Sequence, residues 1–271
     1  MSTAPQDGPP PGGVLGAFGA PAGPVPLSGG QRTVWRAGDV VLKRLDVSLE
    51  ELGWQEEVLT AVDGAPDVRV APPVRSRDGE LVVAGWTAWR FEPGTAPTPD
   101  GYPDVVAAGR VLHRHLAHLP RPALLDRRDH PWARADRIAW GEAAAGAVGD
   151  LPHVGALLAA RDAVDAAAQV VHGDLTDNVH LHPDLPPLVL DLTGYWRPPA
   201  YASAVVVADA VVFRGADLAL VDRVGEEEGP QFPQLLLRAL LFRALTDQLL
   251  APGTEWARWF GPAVSRVLTL T

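Results

Sequence analysis

His172, Asp174, Asn178 and Asp191 fall within one stretch of the chain, Gln169 to Asp191, which reads QVVHGDLTDNVHLHPDLPPLVLD. They supply imidazole and hard oxygen groups on turns between short apolar runs. Mg2+ takes oxygen ligands of this kind and fills its remaining positions with water and phosphate. An aspartate close by can orient an attacking hydroxyl or accept its proton. A second set stands far earlier: the turn Gly29-Gly30, the apolar run Val40-Val41-Leu42 ending in Lys43, and then Glu56 and Glu57. Backbone N–H groups of a glycine turn can cradle phosphate, and a lysine ammonium can sit among phosphate oxygens as a point charge.

Positioning these groups requires two kinds of element. From Val25 to Phe91 the chain shows short strand-type runs separated by turns, including Thr33 to Arg36, Val40 to Leu45, Val68 to Val70 and Leu81 to Ala88. One helix interrupts them, opened by Ser48 and Glu51 in a capping-box arrangement. After Pro93-Gly94 the pattern is helical, with helices predicted over Tyr102 to Leu119, Asp136 to Val148, Val154 to Ala168, Ala202 to Phe213 and Gln234 to Leu250. The expected fold class is therefore α+β, with a small β-rich lobe carrying one helix and a larger, mainly helical lobe. The expected divisions are a disordered tail over 1–12, an N-terminal lobe over 13–92 and a C-terminal lobe over 93–271.

The chain has 271 residues and a net charge of −10, with 47% hydrophobic residues and no cysteine. That length buries a core without disulfides. The acidic balance argues against a nucleic-acid or anionic-membrane partner. The apolar runs are too short for a membrane span, and the Pro/Gly-rich start has no signal-peptide pattern, so a cytoplasmic protein is expected. Lys43 is the only lysine and Asn178 the only asparagine. In a composition that has otherwise replaced both residues, their survival at chemically useful positions draws attention to them. Ile138, the only isoleucine, has no such setting and shows that rarity alone proves nothing.

The order HGD, then Asn178, then Val189-Leu190-Asp191 resembles the aminoglycoside phosphotransferase family of kinase-like small-molecule phosphotransferases. The likeness extends to the Gly-Gly turn, the strand ending in Lys43 and the following helix. It implies a two-lobed protein-kinase-like fold, with ATP or another nucleoside triphosphate and Mg2+ as cofactors and a small-molecule acceptor as partner. In the roles it implies, Asp174 and His172 are the catalytic residues of the loop, and Asp174 orients or deprotonates the acceptor. Asn178 and Asp191 hold the metal. Gly29, Gly30 and Lys43 bind phosphates, with Glu56, or secondarily Glu57, holding Lys43. Asp209 would support the catalytic loop or be an ordinary helix-interior aspartate, and Trp86 to Phe91 would form the adenine-stacking linker or pack between lobes. Trp196 and Arg197 would line the acceptor site or pack structurally, and the acidic Gly225 to Gly229 stretch would attract a cationic acceptor or simply be solvated. The sequence departs from the template in one respect: Asn178 follows Asp174 by four positions in place of five. A nucleotide-binding module without efficient transfer is the alternative this departure motivates. A metallohydrolase using His172, Asp174, His180, His182 and Asp191 is a third reading, which leaves Lys43 and Asn178 unexplained.

Overall fold

Alternating β-branched and aromatic residues closed by tight turns build the sheet that carries Lys43. The computed structural model describes residues 8–27, 34–146, 148, 151–251 and 257–271. Gly29 and Gly30 lie outside the described residues. By contact the chain divides into two units, Met1–Ala96 with His180–Leu190, and Pro97–Val179 with Asp191–Thr271.

In the first unit, helix α1 (Gly12–Ala17) precedes strands β1 (Val25–Leu27), β2 (Val34–Ala37) and β3 (Val40–Arg44). Helix α2 (Leu49–Val62) follows, then β4 (Arg69–Val70), β5 (Pro73–Val74) and β6 (Trp86–Arg90). The sheet runs β1-β2-β3-β6-β5, with antiparallel pairing throughout. Gly38 turns the β2–β3 hairpin with φ +62°, and a Cβ there would stand 3.0 Å from Pro21. Leu42, Trp86 and Ala88 on the sheet pack with Val14, Leu15 and Phe18 of the N-terminal segment. Trp86 is thus a core residue, and the expected linker Trp86 to Phe91 is mostly strand β6. The strand expected over Leu81 to Ala88 starts later because Ala84 and Gly85, both at positive φ, turn the chain just before it.

Helix α2 begins as the capping pattern predicts: the Ser48 hydroxyl accepts the Glu51 N–H at 3.1 Å. Its inner face carries Leu52, Gln55, Val58, Leu59 and Val62. Beyond it, β4 pairs in parallel with β9 (Leu185–Val189), whose other neighbour is β8 (Val179–His182). Thr95 and Leu181 exchange backbone hydrogen bonds at 3.0 and 2.9 Å. Arg69 donates to the carbonyls of Pro186 and Pro93, both at 2.9 Å. Residues His180–Leu190 therefore belong by contact to the first unit, although the sequence boundary put them with the second.

The second unit contains α3 (Tyr102–Leu116), α4 (Leu124–Arg127), α5 (Pro131–Trp140), α6 (Pro152–Ala159), α7 (Pro199–Phe213), α8 (Ala219–Glu228), α9 (Phe232–Leu250) and α10 (Ala257–Leu268). A two-stranded antiparallel ladder joins β7 (Gln169–His172) to β10 (Gly194–Arg197). Helices α7 and α9 are apolar almost all round and form the interior of this unit, as such helices must. The helix expected over Asp136 to Val148 is α5, which starts and ends earlier. His130 caps it by accepting the Ala133 N–H at 3.2 Å, Pro131 opens it, and left-handed Gly141 ends it.

Candidate active site

The catalytic-type loop is assembled in the second unit, on the turn between β7 and β8. His172 ends β7 and is fully buried. Its N–H donates to His113 Nε2 of α3 at 3.0 Å, and its Nδ1 accepts the Asp174 N–H at 3.1 Å. The ring thus braces the turn from within. Burial, reinforced by the neighbouring His172, pushes His113 down to about 3. The next position must be glycine for a steric reason. A Cβ at Gly173 would stand 2.3 Å from the Tyr195 ring, and its N–H donates to Thr193 O at 2.9 Å. Gly109 of α3 serves likewise, since a Cβ there would meet Leu175 at 2.5 Å.

Asp174 projects from this loop with its side chain about half exposed. Its Oδ1 accepts Arg243 Nη2 from α9 at 2.7 Å. The same guanidinium grips Asp209 of α7 through both carboxylate oxygens, at 2.6 and 2.5 Å. Thr176 of the loop donates to Asp209 Oδ2 at 2.8 Å. Asp209, singled out in the sequence as a support for the loop, therefore holds it both directly and through Arg243. Neither Arg243 nor Thr176 was singled out. The available signal was an arginine set among the apolar residues Leu240, Leu241, Phe242, Ala244 and Leu245 of α9, a placement that demands a buried partner.

Asn178 closes the loop. Its N–H donates to Leu175 O at 3.0 Å, and its amide Nδ2 donates to Asp174 O at 2.7 Å, with a longer contact of 3.4 Å to Asp174 Oδ2. The amide nitrogen is thereby committed within the loop, and Oδ1 is the acceptor end of the side chain. Neighbouring Asp177 is paired with Arg214. Asp191 is exposed and holds a left-handed backbone, φ +46°, which is uncommon outside glycine. The Thr193 hydroxyl donates to its carbonyl at 3.1 Å, and Thr193 O receives the Gly173 N–H. His172, Asp174, Asn178 and the Asp191 turn are thus gathered around the β7–β10 ladder.

In the first unit, Lys43 lies in the sheet between β2 and β6, its side chain only 15% exposed. Its Nζ stands 3.7 Å from Asp46 and 5.1 Å from the Trp89 ring centroid. Glu56, the expected partner of Lys43, is gripped through both oxygens by Arg75 at 2.6 and 2.5 Å, because a guanidinium fork matches a carboxylate in two places at once. Glu57 is exposed on the outer face of α2.

The remaining charges sort by partner. Arg197 is fixed by Asp136 and Glu142, each at 2.6 Å, and stacks on Trp140, so it packs structurally. The acidic stretch after Gly225 is the end of helix α8, where Glu227 and Glu228 pair with Arg110 at 2.6 and 2.8 Å. Asp247 differs. It follows Arg243 by one turn of α9, its Oδ2 is buried with no hydrogen-bond partner among the described residues, and burial pushes it up to about 6 against the pull of Arg243. Among the described residues no group of three or more His, Asp or Glu could hold a metal ion. No described helix is long and apolar enough to cross a membrane.

No protein-family model matches the chain, and no curated protein matches it. Solved structures do. A microcompartment-associated aminopropanol kinase matches with TM-score 0.63 and 16% identity over 95% of this chain and 93% of that one. An aminoglycoside phosphotransferase from Alicyclobacillus acidocaldarius matches with TM-score 0.63 and 13% identity over 98% and 95%. An amicoumacin kinase in complex with AMP-PNP and Ca2+ matches with TM-score 0.60 and 14% identity over 92% and 88%. The chain has the α+β, protein-kinase-like fold of these phosphotransferases.

Proposed function

We propose that this protein is an ATP- and Mg2+-dependent phosphotransferase acting on a hydroxyl of a small, amine-bearing molecule. The observation that carries the reading is the loop 172–178, with its aspartate side chain paired with Arg243 and its asparagine nitrogen committed to Asp174 O, on a fold shared with small-molecule kinases. The names of the similar structures, an aminopropanol kinase and an aminoglycoside phosphotransferase among them, support the acceptor class. The half-buried Asp247 carboxylate supports it too, since an unpartnered oxygen beside the loop's own anchor suits an ammonium group.

The donor set fits Mg2+. Asn178 Oδ1 and the exposed Asp191 carboxylate are hard oxygens, and Asp191 keeps an uncommon backbone conformation at that position. When bound there, Mg2+ supplies neutralisation of the phosphate charge. Lys43 would take the α/β-phosphates as a point charge. Asp174 would accept a hydrogen bond from the acceptor hydroxyl and point its oxygen at phosphorus. Catalysis on this reading is positioning and charge compensation. A cytoplasmic location, where ATP is supplied, goes with it.

The test is a thermal-shift titration with ATP and Mg2+, followed by a turnover assay against ethanolamine, 1-amino-2-propanol, choline and hygromycin B. Saturation at 100 times Kd stabilises a native state by about 2.7 kcal/mol. We expect that stabilisation in the wild type, its loss in Lys43→Ala, and a fall of turnover by at least 100-fold in Asp191→Ala. Unchanged turnover in Asp191→Ala would end this reading. Nucleotide-dependent stabilisation with no turnover on any acceptor would favour the non-catalytic alternative, whose observation is the shortened loop with Asn178 folded back onto Asp174 O.

A further inference from the structure

Arg243 stands outside every motif in the sequence, yet among the described residues it is the one that forms an ion pair with the loop aspartate, and it makes three charge-assisted hydrogen bonds in all. Its side chain is 12% exposed and that of Asp209 is 7% exposed, while that of Asp174 is 48% exposed. The guanidinium is therefore anchored from the buried side by Asp209 and offers its remaining reach to the half-exposed aspartate. Burial opposes its charge, but the two carboxylates outweigh that cost and keep it protonated well beyond the ordinary arginine range. Thr176, two residues after Asp174, bonds to the same Asp209. Two points of one loop are thus tied to one buried ion pair between α7 and α9.

From this geometry we infer that Arg243 is a positioning residue for phosphoryl transfer: it occupies Asp174 Oδ1 and leaves Oδ2 as the oxygen that meets the acceptor hydroxyl. The inference rests on the phosphotransferase reading and deepens it. Among the described residues Asp174 Oδ2 makes only the long 3.4 Å contact with Asn178, so of the two oxygens it is the one open to a new partner. In the transfer step the hydroxyl oxygen forms a bond to the γ-phosphorus. The bond from that phosphorus to the β–γ bridging oxygen breaks, and its electron pair leaves with ADP. The hydroxyl proton passes to Oδ2 as the new bond forms and is then released to solvent. Asp174 thus acts by aiming the hydroxyl, with Oδ2 as the oxygen that receives the proton.

Lysine can restore the charge but cannot bridge two carboxylates as the planar fork does. The experiment compares Arg243→Met and Arg243→Lys with the wild type, using ATP–Mg2+ and whichever amino alcohol of the panel above is turned over. The expected result for Arg243→Met is a fall in kcat on the order of 100-fold, with the acceptor KM changed less than threefold and the ATP-induced thermal shift retained. Arg243→Lys should recover at least tenfold of that loss. A purely structural role would lower the melting temperature and the active fraction without this split. Should Arg243→Met fail to fold, Asp209→Asn with Arg243 retained takes its place, because it loosens the anchor and leaves the guanidinium; the same kcat loss is expected. The inference is overturned by kcat within threefold of wild type in folded Arg243→Met, by a loss confined to KM, or by a lysine variant no better than methionine. Absence of any ATP-dependent shift in the wild type would instead defeat the phosphotransferase reading itself, a result separable from all of these.

Discussion

Single atoms decide much of the candidate site. The Cβ that glycine lacks is one of them: at position 173 it would lie 2.3 Å from Tyr195 Cδ2, with further ring atoms at 2.6 and 3.3 Å. Tyr195 is buried and packs edge-on against Phe242, so it has nowhere to retreat. Gly173→Ala should destabilise the protein by about 2 kcal/mol or more, as overpacking does, and urea unfolding would measure it. Asp247 makes the opposite case. Its folded value, about 6, lies above the ordinary 3.8, so its ionisation costs stability above pH 6 and costs nothing below pH 4. Asp247→Asn should therefore stabilise by ~1 kcal/mol at pH 7.5, allowing for solvent screening on its open side, and by nothing at pH 4. If the carboxylate receives an ammonium, the same change should raise the acceptor KM at least tenfold, and wild-type affinity should fall as pH drops through 6. A stabilised variant with unchanged KM would remove Asp247 from the acceptor site.

At the scale of elements, the sequence was most legible where periodicity and capping agree. Helix α2 begins and ends as its pattern demands because Ser48, Glu51 and the apolar spacing all act locally. The hairpin ending in Lys43 is equally local. Helix α9 was legible as a helix but not as part of a site, because its apolar stretch hides what Arg243 and Asp247 face. The grouping of His180–Leu190 with the first unit is not legible in the sequence for a related reason. Its parallel pairing with β4 is a long-range contact, and nothing in residues 185–189 announces a partner at 69–70. Arg69 secures that pairing with hydrogen bonds to Pro186 O and Pro93 O. Arg69→Ala should speed hydrogen exchange at Leu188 and Val189 by at least tenfold while leaving the amides of α7 unchanged, which mass spectrometry of the exchanged peptides would resolve. Equal protection in both proteins would show that the ladder holds without it.

For the whole molecule, the buried His113 sets a direction for acid stability. Its folded value is depressed to about 3 from 6.5, so it remains neutral in the native state while the unfolded chain gains a proton. Stability is lost as pH falls from about 6.5 toward 3, at up to ~1.4 kcal/mol per pH unit. Asp247 works the other way between pH 6 and 4, with a smaller amplitude because of its exposure. The melting temperature should thus fall between pH 7 and pH 5, and His113→Gln, which can still accept the His172 N–H, should flatten that fall. An unaltered slope would mean that His113 is not the group responsible.

The sequence by itself determined the α+β order of elements, the HGD loop with Asn178 and Asp191, and the strand bearing Lys43. These are written in short-range spacing, which local sterics, capping and hydrophobic periodicity enforce. Only the tertiary structure decided that Glu56 meets Arg75, that Arg197 belongs to Asp136 and Glu142, and that Arg243 and Asp209 anchor the loop aspartate. Those pairings join residues far apart in the chain. A charge in an apolar helix announces that it needs a counter-charge, but only the packing of α7 against α9 says which one it finds.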